Sequence, residues 1–156
     1  MKIVGALIIV FSALVIAFEL SCRVERTART VSSLRALLEY TKNMIDCYAL
    51  PSSEILRRID AGLLFDCGYK QKNPPRDFNE LVGSLDIADL EARELLYSFA
   101  KDFGKSYRAD ELSRCALYLE KMRSREQKLI KESAKKKKMI FTVAVCSSLA
   151  VIILIV

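Results

Sequence analysis

The two ends of the chain are apolar, and the residues between them are charged. Residues 3–18 carry no charge, and residues 20–22 extend this stretch beyond a single acid, Glu19. Residues 139–156 are eighteen residues without a charge, about 27 Å of helix at the usual rise per residue. Since a bilayer core requires about 20 apolar residues, the pattern predicts transmembrane helices at residues 1–22 and 139–156, around one domain at residues 23–138.

A cleaved signal peptide is the alternative for the first apolar stretch. Only Lys2 precedes the stretch, and Phe18, Glu19 and Leu20 stand where a small-x-small cleavage site would lie. A lipoprotein site at Cys22 would need an apolar residue in place of Glu19. We therefore expect a retained anchor.

In the first half of the central domain, apolar or small residues recur every three or four positions, which is typical of helices. Pro51 is expected to end the first helix, and Ser52 or Ser53 to cap a second over residues 54–61, with Gly62 in a left-handed closing position. Residues 63–73 form the least regular stretch, and a short helix is expected around residues 77–82. The stripe of the first helix consists of Val24, Ala28, Val31, Leu34, Leu38, Thr41, Ile45 and Tyr48.

Two longer helices are predicted in the second half. Asp86 is the expected N-cap of the first, with Asp89 in its first turn and Gly104 after its end. The apolar face of this helix is Ala92, Leu95, Leu96, Phe99, Ala100 and Phe103, and that of the last helix is Leu112, Cys115, Ala116, Leu119, Met122, Leu129 and Ile130. No segment is predicted to be a strand. The expected fold class is all-α, a bundle of four to six helices flanked by N- and C-terminal transmembrane helices.

Basic residues are concentrated on the inner side of both apolar ends. Because cytoplasmic flanks retain positive charge, this asymmetry predicts that the central domain is cytoplasmic. The lysines would also attract anionic lipid. The residues predicted to set the topology are Arg23, Arg26, Arg29, Lys135, Lys136, Lys137 and Lys138.

The net charge of +6 does not indicate nucleic-acid binding. Without the four-lysine run the central domain is nearly neutral, and the six tyrosines do not alternate with basic residues as in a single-strand binding surface.

The sequence offers little for catalysis. It has no histidine, its five glycines are scattered, and its five cysteines lack metal-ligand spacing. The carboxylate pairs Asp86 with Asp89 and Asp110 with Glu111 are expected at helix starts, where negative charge is favourable. We therefore predict no enzyme activity, no cofactor and no metal, and we expect the cysteines to pack as small apolar residues.

Glu19 is the most unusual single residue, because an acid within a membrane span is unfavourable unless it faces protein, water or the interface. Two interpretations remain. Glu19 reaches the cytoplasmic headgroups near Arg23, or it pairs with a cation on a neighbouring subunit.

The order of several short motifs resembles the stage III sporulation protein AB family of endospore-forming bacteria. The N-terminal apolar helix ends in Phe18-Glu19 and is followed by an arginine-rich exit, Leu34-Arg35, and then Pro51 before Arg57-Arg58. In the second half, Phe99 with Phe103-Gly104-Lys105-Ser106 is similar to the family's Phe-x-x-x-Leu-Gly-x-Ser segment. The chain departs from the family pattern at Phe103, Tyr107 and Glu111.

The resemblance implies a component of the channel complex that joins mother cell and forespore. It implies a soluble region similar to the type II secretion F domain, located on the mother-cell side of the engulfing membrane. Its implied partners are a cytoplasmic secretion-type ATPase, stage III sporulation protein AA, and the other channel subunits. We also expect that a face of the helical bundle or the stretch at residues 63–73 contacts the ATPase or further copies of the chain. Glu19, Phe99 and Gly104 are candidate interaction residues. The alternative function is a membrane-anchored regulator or receptor that binds a cytoplasmic signalling partner.

Overall fold

The computed structural model describes the backbone at residues 2–48, 50–71 and 73–155, and the side chains at residues 11, 12, 14–48, 50, 51, 53–71, 73–147 and 150. Within these residues the chain forms six helices: α1 (Lys2–Tyr48), α2 (Ser52–Arg58), α3 (Ala61–Asp66), α4 (Phe78–Ser84), α5 (Leu90–Asp102) and α6 (Arg108–Ile155). The all-α fold class is therefore confirmed. The chain divides into two compact units, one of Met1–Ala28 with Leu129–Val156 and one of Arg29–Lys128, which we call the terminal unit and the central unit.

The boundary between α2 and α3 differs from the prediction. The second helix ends at Arg58, not at residue 61, and Gly62 lies inside α3, not in a left-handed closing position. Asp60 explains the difference, because its carboxylate accepts a hydrogen bond from the Leu63 amide at 3.2 Å and so caps a new helix. A Cβ at position 62 would lie 2.7 Å from the Asp60 carboxylate, which accounts for the glycine.

The N-cap of α5 is Asp89, so the prediction of Asp86 was wrong. The Asp89 side chain accepts a hydrogen bond from the Ala92 amide at 2.9 Å, whereas Asp86 is exposed and pairs with Lys70 at 2.7 Å. Both acids have the composition of an N-cap, and the packing of the preceding residues decides between them. Leu85 and Ile87 are buried, which keeps the chain extended until Asp89.

Buried side chains from all six helices form the core of the central unit. The predicted stripe of α1 is buried at Val31, Leu34, Leu38, Thr41 and Ile45, together with Leu37, whereas Tyr48 is exposed. On α5 the buried residues are Ala92, Leu96, Phe99 and Ala100, with Leu95 and Phe103 half-buried; on α6 they are Cys115 and Met122, with Leu112 and Leu119 half-buried. Ala116 was wrongly predicted to be on the apolar face of α6, since it is exposed.

Aromatic rings fill the region where α4, α5 and α6 meet. The ring centroids of Phe78 and Phe99 are 5.6 Å apart, those of Phe99 and Phe103 4.8 Å, and those of Phe99 and Tyr118 5.7 Å. Such offset and edge-to-face arrangements add to the stabilisation from burial. Phe99 is at the centre of this cluster and is fully buried.

The segment between α3 and α4 is more ordered than its sequence suggests. Among the described residues, the pairing of Tyr69 with Leu85 is an isolated antiparallel bridge. Gly68 has φ +94°, and a Cβ there would lie 3.2 Å from the Asp86 backbone. The left-handed turn at Gly68 and the close approach of the Asp86 backbone therefore both favour glycine.

In the terminal unit, an ion pair joins the charged flanks of the two apolar ends. Lys137 Nζ lies 2.6 Å from Glu25 Oε2, and the small residues Ala17, Ser21 and Ala144 are buried. Small residues allow helix backbones to approach closely. Within the described side chains and helices, no stretch is both long and apolar enough to cross a membrane; the predicted spans at residues 1–22 and 139–156 lie partly outside the described residues.

Candidate interaction surface

The central unit has an open groove between α2, α3 and the segment that follows α3, with a volume of about 360 Å³. Its apolar floor is formed by Leu56, Ile59 and Leu64, which are at most 8% exposed. Phe65 forms one edge and is 73% exposed. We call this the α2–α3 groove. An exposed aromatic ring beside a buried apolar floor is typical of a protein contact surface.

Among the described residues that line the α2–α3 groove, the charged ones are both basic, Arg57 and Lys70. Lys70 forms an exposed ion pair with Asp86, and its ammonium lowers the pKa of that carboxyl. Arg57 is exposed and forms no ion pair with the described side chains. The groove therefore combines an apolar floor with basic residues at its edge. Part of its lining comes from the Leu63–Asn73 stretch, for which no regular pattern was predicted.

A second ordered surface is the turn between α5 and α6. Gly104 has φ +81°, and Glu111 Oε1 accepts hydrogen bonds from the Gly104 and Ser106 amides at 3.1 Å each. Arg114 donates to the Asp102 carbonyl at 2.6 Å and to the Ser106 hydroxyl at 3.0 Å. Glu111, expected only to favour the start of a helix, thus also holds the preceding turn in one conformation.

This turn is fixed to the end of α1. Arg108 donates from Nε to the Ile45 carbonyl at 3.1 Å and from Nη2 to the Asp46 carbonyl. The exposed rings of Tyr48 and Tyr107 belong to the same end of the central unit, and Tyr107 is 87% exposed. The sequence did not indicate this contact, because the two segments are 62 residues apart and the acceptors are backbone carbonyls.

The opposite end of the central unit is where the chain enters and leaves it. Arg35 on α1 pairs with Glu126 on α6 at 2.7 Å, so the two helices run antiparallel, with Arg35 beside Glu126 and Ile45 beside Arg108. Residues 29 and 128 therefore lie at the same end. The α5–α6 turn is about 30 Å away along α6 at the helical rise per residue.

Among the residues predicted to set topology, Arg23 pairs with Glu19 on its own helix at 2.8 Å, and both side chains are exposed. Lys137 pairs with Glu25, and Lys136 lies 3.9 Å from Glu132. The remaining predicted residues, Arg26, Arg29, Lys135 and Lys138, are exposed. Both interpretations of Glu19 stay predictions, because this pair lies within one helix.

Phe99 and Gly104, the other candidate interaction residues, have different surroundings. Phe99 lies in the aromatic cluster and is inaccessible, so it acts on any surface only through packing. Gly104 is exposed in the α5–α6 turn.

The cysteines of the central unit are not equivalent. Cys67 and Cys115 are buried, and burial raises the pKa of the Cys67 thiol to about 12 and that of Cys115 to about 11. Cys47 is exposed. The first two thiols are therefore packed as predicted, while Cys47 is available to reagents.

The described side chains contain no group of three or more His, Cys, Asp or Glu residues that could hold a metal ion.

Sequence comparison identifies the family of the chain. Neither a curated protein nor a solved structure matches it. The profile of the stage III sporulation protein AB family matches residues 78–156, which is half of the chain and includes α4, α5 and all of α6. The chain therefore belongs to the stage III sporulation protein AB family and has a sporulation-related role.

Proposed function

We propose that the chain is a membrane-anchored, non-enzymatic component of the channel complex that links mother cell and forespore. In this proposal residues 1–22 and 139–156 span the mother-cell membrane. Residues 23–138 form a cytoplasmic platform that couples a secretion-type ATPase, stage III sporulation protein AA, to the membrane subunits.

The observation that carries the proposal is that both ends of the chain leave the central unit side by side. The Arg35–Glu126 ion pair brings α1 and α6 together near residues 29 and 128, and beyond those residues follow the basic flanks and the apolar ends. In this proposal the other end of the central unit is its free end, available to a partner. Membrane anchoring with a cytoplasmic unit agrees with the basic inner flanks.

The free end of the central unit supports a contact with a soluble partner. Tyr107 is exposed there on the turn that Glu111 holds by hydrogen bonds. Tyr48 is exposed at the end of α1, to which Arg108 fixes this turn. Exposed tyrosines on a rigid backbone lose little conformational entropy on binding. We therefore assign the ATPase contact to this end.

A pull-down from sporulating cells tests the proposal. Full-length tagged chain, purified from the membrane fraction, is expected to recover channel subunits and the ATPase. Tyr107→Ala is expected to reduce recovery of the ATPase and to leave recovery of membrane subunits unchanged. Leu117→Ala is the matched control, because Leu117 is an exposed apolar residue of α6, the helix that follows Tyr107, and lies away from the turn.

Two results would contradict the proposal. One is recovery of a response regulator and no channel subunit, which would favour a regulatory or receptor function. The other is ATP hydrolysis by the purified chain alone, which would contradict the non-enzymatic role.

A further inference from the structure

The side of α5 that faces away from the core carries an apolar row interrupted by one acid. Leu90, Glu94 and Tyr97 follow one another at i, i+4 and i+7, and Leu90 and Tyr97 are 71% and 40% exposed. Within the described side chains, Glu94 forms no ion pair. Arg93 lies on the adjacent row with its guanidinium 5.7 Å from the centre of the Tyr97 ring. We call Leu90, Glu94 and Tyr97 the α5 outer row.

The α5 outer row complements the α2–α3 groove. Helices bind apolar grooves through side chains at i, i+4 and i+7, which is the spacing of Leu90, Glu94 and Tyr97. The groove has an apolar floor and the cation Arg57, while the row has two apolar side chains and the acid Glu94. Neither charged group has an ion-pair partner among the side chains that the structure describes. In a single chain Phe65 is 73% exposed and Leu90 is 71% exposed, so the two surfaces do not cover each other.

We propose that the chain binds a second copy of itself, with the α5 outer row of one copy in the α2–α3 groove of the next and Glu94 paired with Arg57. Because row and groove are different surfaces, each copy uses one toward each neighbour. Such a heterologous contact closes into a ring when the rotation between copies permits and otherwise continues as a filament. This inference goes beyond the proposed function, since it holds or fails whether or not an ATPase binds.

Charge reversal tests the contact. With the full-length chain in detergent, sedimentation is expected to show association that depends on concentration. Arg57→Glu or Glu94→Arg alone brings like charges together and is expected to weaken association by about tenfold or more. Arg57→Glu combined with Glu94→Arg is expected to restore association. In the double variant each contact again pairs an acid with a base, with the two charges exchanged.

The control variants make the same changes of charge at positions outside the proposed contact. Arg123→Glu and Glu120→Arg alter exposed residues of α6 outside both surfaces, so association is expected to remain at the wild-type level. Helix content measured by circular dichroism establishes that each variant is folded. Leu90→Ala, compared with Leu117→Ala, provides a second comparison that does not change charge.

Disulfide formation between copies gives an independent measurement. In chains with Cys22→Ser, Cys47→Ser and Cys146→Ser, a copy with Arg57→Cys is expected to cross-link to a differently tagged copy with Glu94→Cys. Arg123→Cys in place of Arg57→Cys is expected to give no cross-link. The proposal is overturned if wild-type chain is monomeric at every concentration, as expected for a groove that binds another protein, or if the double reversal fails to restore association.

Discussion

Asp89 links the start of α5 to α6, and its replacement is expected to destabilise the central unit more than that of any nearby acid. Asp89 Oδ2 accepts hydrogen bonds from the Ala92 amide at 2.9 Å and from Arg125 Nε at 3.0 Å. Asp89 Oδ1 accepts from Arg125 Nη2 at 2.7 Å. The Asp89 side chain is 7% exposed and that of Arg125 17%, so this bidentate pair is largely shielded from water.

Two contributions are lost in Asp89→Ala. Removal of an N-cap costs about 1 kcal/mol. Removal of one partner of a buried ion pair costs about 3 to 5 kcal/mol, and the lower end applies here because Arg125 retains Glu91 at 2.8 Å. The expected loss is therefore about 4 kcal/mol in the free energy of unfolding. Asp89→Asn is expected to lose about 1 kcal/mol less, since asparagine is an equally good N-cap.

Unfolding of the central unit is measured by the urea dependence of Cys67 modification, because this thiol is buried in the folded unit. The control is Asp86→Ala, which removes an exposed acid paired with Lys70 and is expected to leave the midpoint nearly unchanged. Equal midpoints for Asp89→Ala and Asp86→Ala would refute the assignment of the cap and of the buried ion pair.

Three further predictions concern single residues. Gly83→Ala is expected to stabilise α4 by about 0.5 to 1 kcal/mol, because nothing lies near the added Cβ, whereas Gly104→Ala at φ +81° is expected to destabilise by about 1 to 2 kcal/mol; chemical unfolding measures both. The free energy of unfolding is expected to fall as the pH rises from about 9 to about 12, since the thiol of Cys67 ionises near 9 when unfolded and near 12 when folded. Cys67→Ala should make this fall smaller, and an unchanged pH dependence would contradict the prediction. Glu19→Gln is expected to leave association between copies unchanged in sedimentation, because Glu19 pairs with Arg23 of its own helix; a loss of association would favour an intersubunit pair.

The pattern of apolar residues was sufficient to predict the helical fold class and most of the core. Spacings of three and four identified Val31, Leu34, Leu38 and Ile45 as one buried face, because the core contacts the same side of α1 over several turns. The rule is less reliable at helix ends. There Tyr48 has the correct spacing but is exposed.

Helix boundaries were predicted less well, because several residues are of a type that commonly caps helices. Asp86 and Asp89 are both suitable N-caps, and only the burial of Leu85 and Ile87 and the position of Arg125 favour Asp89. Similarly, Gly62 was expected to close α2, although the Asp60 carboxylate starts α3 at that point.

The candidate surfaces could be predicted only in part from the sequence. The Leu63–Asn73 stretch was one of the two alternatives expected for a protein contact, and it contributes to the α2–α3 groove. Arg57 lies beside this stretch only because α2 packs against α3, and the sequence does not indicate that packing. The contact of Arg108 with the end of α1 involves backbone carbonyls, which have no sequence signature.

The position of Cys47 relative to the membrane tests the central claim most directly. In a chain with Cys22→Ser and Cys146→Ser, Cys47 is the exposed thiol, because Cys67 and Cys115 are buried and their pKa values are raised. A maleimide that cannot cross membranes is expected to label Cys47 in permeabilised cells and not in intact cells, while the chain remains in the membrane fraction after an alkaline wash. Labelling in intact cells, or release of the chain by the wash, would contradict a cytoplasmic unit held by two membrane helices.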